Sequence, residues 1–222
     1  MVAWNLEELR VKVRGRNDAD DVLKVISSLS RSTEIFRYHL ITARDALKGF
    51  VNETDANHSK TLAFLLGGHD RQDEFEYARV VSEANLIACI HTCRGIWDTF
   101  SQLVNVLSLP KPLPIGACDI KRVAAALSTS PLQSAINDLL CSHWFQYVAA
   151  FINTTKHRRL IEHTMTVSFE EDRAGVKFGA FTYGSTSFPQ YWGREVLEGT
   201  VEVKNHVIKC GRYLNEVVAP AA

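Results

Sequence analysis

Asn153, Lys156, His157, Arg158 and Arg159 gather within FINTTKHRRLIEH, residues 151–163, where the strongest amphipathic pattern in the chain comes to an end. With Tyr147 as the centre of the apolar stripe and about 100° per residue, Ile136, Leu140, Trp144, Phe151 and Thr154 all fall within roughly 60° of it, and so does Arg158. His157 lies on the edge of that sector with Asn153. A guanidinium aimed along a core direction keeps its charge and must find a carboxylate, backbone carbonyls, water or an anionic ligand. Such an arrangement is an anion site built on a helix. The plainer reading is a solvated last turn, whose cations favour the negative end of the helix dipole.

Other residues carry chemistry at helical spacing. Val80, Ala84, Ile87, His91, Arg94 and Asp98 form a mixed face, so Asp98 or Glu83 could meet Arg158, or Arg94 and Asp98 could pair four residues apart on the surface. Cys89, His91 and Cys93 are too badly phased to converge on a metal, because His91 points about 200° from each cysteine on a helix. His58 and His69 lack a companion pair at ligand spacing, so no metal site and no cofactor is expected. Arg10, Lys12, Arg14 and Arg16 alternate with Val11, Val13 and Gly15 like a basic strand or arm that could touch RNA, and the plainer reading is a solvated terminal segment. In SFPQYWG, Phe188, Tyr191 and Trp192 could stack on a ligand or pack the loop onto the helices. No GxxxxGK[ST], no strand-borne GxGxxG and no GxSxG occurs, so nucleoside triphosphate and serine hydrolase chemistry have no support.

Composition sets the limits for these candidates. The 222 residues can bury a core without cross-links, and 25 basic against 25 acidic side chains leave no global field to attract nucleic acid or an anionic membrane. Any nucleic-acid contact must be local. The five cysteines are an odd number and mostly sit in apolar helical sequence, which reads as reduced thiols. No apolar run reaches the roughly 18 residues needed to span a bilayer, and no secretory pattern opens the chain, so a cytoplasmic protein without a membrane partner is expected.

The elements that must position these residues follow from periodicity. Helical spacing predicts long helices over about Asp20–Val51 and Arg71–Leu107, with a polar turn at Asn52–His58 and a turn or two of helix at Thr61–Leu66 between them. A short helix is expected over Asp119–Leu127. Ser130-Pro131 then gives a cap followed by proline at the first helical position, starting a helix that runs to at least His157. HTMTVSFEED and GVKFGAFTYG alternate, which predicts one β-hairpin at about 163–183. GSTSFPQYWG reads as a loop and Arg194–Val217 as a last long helix. The whole is mainly α, a four- to six-helix bundle with one β-hairpin inserted before the last long helix, in a single domain over 1–222.

Arg158, four residues and then His163 resembles the signature of the HEPN-like superfamily of helical-bundle proteins, and the NTTKHRR segment is similar to one in uncharacterised bacterial bundle proteins. The family includes metal-independent ribonucleases of toxin–antitoxin and defence systems. The resemblance implies that Arg158 stabilises phosphate charge and His163 acts as general acid or base while an RNA 2′-hydroxyl attacks. It further implies that Asn153, Lys156 and His157 contact phosphate or sugar, that the site forms across a homodimer, and that an antitoxin-like partner accompanies it. The family carries the pair at the start of a late helix, whereas His163 here opens a predicted strand. The other function class is a non-catalytic ligand-binding or interaction module, in which the basic segment is structural or grips an anion and the hairpin mediates homodimerisation.

Overall fold

A computed structural model describes residues 3–51 and 58–218. Helix dominates. The eight α-helices among the described residues are α1 (Leu6–Val13), α2 (Ala19–Asp45), α3 (Ser59–Leu66), α4 (Gln72–Ser108), α5 (Ile120–Ala126), α6 (Pro131–Cys141), α7 (His143–His157) and α8 (Gly193–Val217). Between α7 and α8 lie five short strands, β1 (His163–Ser168), β2 (Arg173–Phe178), β3 (Phe181–Tyr183), β4 (Thr186–Phe188) and β5 (Tyr191–Trp192). The chain is therefore mainly α with a small antiparallel component. Among the described residues no helix is long and apolar enough to cross a membrane.

Local chemistry explains most boundaries. Ser130 accepts a hydrogen bond from the Gln133 amide with Pro131 in the first turn, as its sequence predicts, and Asp119 caps α5 through the amides of Lys121 and Arg122. Four expectations need correction. The basic alternation near the N-terminus is not a strand: α1 is capped by Asn5 and buries Leu9 and Val13 completely, a helical phase that the alternating charges conceal. The first long helix stops at Asp45 and gives way to turns in which Gly49 takes φ +90°, a conformation that costs a β-carbon-bearing residue dearly. The helix begun at Pro131 breaks at Ser142, which leaves helical geometry at ψ 141° while its hydroxyl donates to the Leu139 carbonyl and accepts from the Phe145 amide. One serine ends α6 and starts α7. The polar turn expected at Asn52–His58 lies outside the described residues except for His58.

The fourth correction concerns the strands. β1 and β2 pair antiparallel with His163 opposite Phe178 and Ser168 opposite Arg173, and β5 adds to the other side of β2, so the order is β1-β2-β5. The stretch read as the far half of the hairpin and as a loop holds a second hairpin instead, β3 with β4, turning at Gly184 with φ +62°. Three-residue strands are too short to show a period-2 pattern.

Contacts divide the chain into two compact units. The first comprises residues 3–35, 92–146 and 201–218, and the second residues 36–51, 58–91 and 147–200. All four crossings of the chain fall inside helices, within α2, α4, α7 and α8. In the first unit Trp97 is fully buried with its indole N–H donating to the Val203 carbonyl, and Phe100 and Phe145 meet its ring edge-on. Trp4 lies against Phe100, donates to Asn215 Oδ1, and has its ring where a β-carbon on Gly211 would stand, 2.1 Å away. Gly211→Ala therefore sets a helix-propensity gain of about 1 kcal/mol against a clash with a pinned ring that costs about 1–3 kcal/mol. We expect net destabilisation with a red-shifted tryptophan emission, and a urea midpoint equal to or above wild type would contradict it.

The second unit buries Phe50, Phe64, Phe75 and Ala78 against the cross-strand pair Met165 and Val176. A further aromatic cluster joins Tyr147 and Phe151 of α7 to Phe178, Phe181, Phe188 and Tyr191 of the strands. These contacts place the end of α7 and the start of β1 beside each other in the second unit.

Candidate functional site

The apolar stripe of α7 is real up to its last turn, where Tyr147, Phe151 and Thr154 are buried. The amides of Arg158 and Arg159 then both bond to the Thr154 carbonyl, at 2.9 and 3.1 Å, which tightens and ends the helix. Arg158 is thus not a continuation of the buried stripe. Counting 100° per residue ceases to apply once His157 is passed, and Arg158 emerges exposed with its guanidinium 5.3 Å over the ring of Tyr183. Lys156, His157, Arg159 and Leu160 are exposed as well, and Asn153 is half-buried one turn back. Among the described residues no ion pair engages Lys156, Arg158 or Arg159. The result is an open basic turn, with one arginine lying over a tyrosine ring.

His163 sits in the opposite environment. Its side chain is 2% exposed, its ring meets Phe178 edge-on, and its Nδ1 lies 3.6 Å from Glu83 Oε2 on α4. Its Nε2 is buried without a hydrogen-bond partner among the described residues. Burial, with the positive charge of Arg79 adding to it, pushes the imidazole down to about 4. The ring is neutral at pH 7. Glu83, considered from sequence as a partner for Arg158, thus faces His163, a contact that spans 80 positions of sequence and leaves no local signal.

The other candidates resolve into structural roles. Arg94 and Asp98 form the surface pair four residues apart, at 3.1 Å, with the arginine also over Phe145. His91 contacts the Thr155 hydroxyl at 3.2 Å and is pushed below its usual range by burial and then by Lys156. Cys89 is fully buried, its thiol pushed up to about 12 by burial, so it does not supply thiolate. His58 is enclosed and meets Asp172 at 3.2 Å, while His69 lies against Phe64. Among the described residues no three metal-ligating side chains come together.

The aromatic segment packs inward. Phe188 and Tyr191 approach Tyr147, and Trp192, 3% exposed, is the hub of a polar clasp. Its indole N–H donates to Glu171, which also pairs with Lys177 at 2.7 Å. The Lys177 and Arg173 cations lie over its ring at 4.2 and 4.7 Å, and its amide donates to Glu195, the partner of Arg173. Lys177 stands directly opposite Trp192 in the β2–β5 register, a cross-strand pairing that only the fold reveals.

Compared with models of protein families, with curated proteins and with solved structures, the chain matches none of them.

Proposed function

We propose that this chain is a non-catalytic binding module whose working surface is the basic turn Lys156–Arg159, carried on a helical bundle and selective for anionic groups. The observation that supports this reading is the unequal fate of Arg158 and His163. The arginine stands in solvent with its guanidinium over the ring of Tyr183, while the imidazole is enclosed, neutral and turned to Glu83. A general acid or base must reach the proton it moves within about 3 Å, and an enclosed ring does not meet an incoming phosphodiester. Binding needs only the exposed half of the pair. Arg158 suits carboxylate or phosphate as a planar fork, and Lys156 and Arg159 add charge beside it.

Fluorescence anisotropy with a labelled oligoglutamate peptide and a labelled single-stranded RNA tests this. Wild type is expected to bind at low salt and to weaken as salt rises. Replacing Lys156, Arg158 and Arg159 together by alanine should weaken binding about tenfold or more, while His163→Gln should leave it unchanged. Equal binding by the triple variant would refute the assignment of the surface. RNA cleavage by wild type that disappears in both Arg158→Ala and His163→Ala would replace it with the HEPN-like ribonuclease reading.

A further inference from the structure

We infer that the anion gripped by the basic turn is the acidic hairpin tip of a second copy of this chain, docked antiparallel along the free edge of β1. The inference rests on the binding-module reading and names its partner. Three features of the second unit carry it.

The first is an open sheet edge. β1 is the outermost strand of the order β1-β2-β5, and among the described residues no strand or loop outside the sheet bonds to the backbone of 163–168. Phe64 of α3 shares a cluster with Met165 and Val176, so that helix covers a face of the sheet. A row of unpaired amides and carbonyls is a template for another strand.

The second is opposite charge at the two ends of that edge. Before β1 stand Lys156, Arg158, Arg159 and Leu160, the last 61% exposed. After it stand Phe169, 73% exposed, and the exposed acids Glu170 and Asp172. Each end couples one exposed apolar side chain to a charge cluster, net positive before the strand, where the exposed Glu162 offsets one of the three cations, and net negative after it. β1 has six residues, which at about 3.3 Å each separates the ends by roughly 20 Å, more than twice the Debye length of about 8 Å at physiological ionic strength. The tip therefore does not neutralise the turn of its own chain.

The third is the symmetry that antiparallel pairing imposes. When two β1 strands lie side by side in opposite directions, the start of each meets the end of the other, so the basic turn of each copy faces the acidic tip of its partner, twice. The contact is isologous and closes at two chains. It also covers both edge strands, the hazard that an exposed strand otherwise presents.

A charge-swap experiment decides the matter. One variant carries Arg158→Glu and Arg159→Glu, and the other carries Glu170→Lys and Asp172→Asn, asparagine being chosen because residue 172 has φ +47°. Sedimentation velocity is expected to show wild type as a dimer, and each variant alone as a monomer at the same concentration, since each faces like charge at both contacts. An equimolar mixture, in which both contacts are attractive again, is expected to return to a dimer. Circular dichroism confirms that each variant is folded, and rescue by mixing is an outcome that a folding defect does not give. A monomeric wild type, variants as dimeric as wild type, or two folded variants that stay monomeric when mixed would overturn the proposal. A monomeric wild type that still loses oligoglutamate binding on removal of Lys156, Arg158 and Arg159 would remove the second copy as partner and leave the binding-module reading standing.

Discussion

Trp192→Ala is expected to destabilise the protein by about 3–5 kcal/mol, a large part of the stability of a typical domain. The indole is 3% exposed and joins three polar side chains at once, Glu171, Arg173 and Lys177. Truncation leaves a void beside β2. It also strips the cation–π contacts from Arg173 and Lys177 and deprives Glu171 of its N–H donor. Trp192→Phe separates the parts: most of the packing and a ring for the cations remain, and only the indole bond is lost. Glu171 is about half exposed, so water replaces much of that bond and the cost should be about 1 kcal/mol. Urea unfolding of the three proteins measures both steps. A Trp192→Ala protein within 1 kcal/mol of wild type would show that the clasp is ornamental.

Acid should weaken the fold through His163. Its ordinary value is 6.5 and its value in the folded chain about 4, so between those limits the unfolded chain binds a proton that the folded chain refuses. The stabilisation is complete above pH 6.5 and is lost as pH falls toward 4, by about 3 kcal/mol in all. In His163→Gln that part of the acid limb should flatten, because glutamine takes up no proton. Urea midpoints collected from pH 4 to 8 compare the two. Parallel pH profiles for wild type and variant would mean that His163 is not the group responsible.

Legibility in the sequence depended on how local each cause was. Ser130-Pro131 announced α6 because both cap and proline act within one turn. Ser142 announced nothing, since a serine inside an apolar pattern looks the same whether the helix passes through it or stops on it. In α1 the alternation of Arg10, Lys12 and Arg14 with Val11 and Val13 suggested a strand, although Leu6, Leu9 and Val13 carried a helical phase. Period alone misleads over so few residues.

The basic turn was visible as composition, and its exposure was not. One bifurcated bond to the Thr154 carbonyl decided whether Arg158 pointed inward or out, and no side-chain pattern encodes that. His163 was harder still. Its enclosure comes from Glu83, Arg79 and Phe178, groups on α4 and β2 that adjoin it only after folding. The alternation of HTMTVS gave its strand but nothing about what stood over the ring.

The four helices in which the chain passes from one compact unit to the other have a practical meaning for anyone who wishes to dissect this protein genetically. Neither unit corresponds to a continuous stretch of gene: each is assembled from separate segments, and every seam at 35/36, 91/92, 146/147 and 200/201 lies within an uninterrupted helix. A cut at any seam would strand several amides and carbonyls that the intact helix satisfies. Truncation series and domain-by-domain expression, the usual first tools for an unfamiliar protein, are therefore the wrong ones here. Point variants in the full chain keep every helix whole.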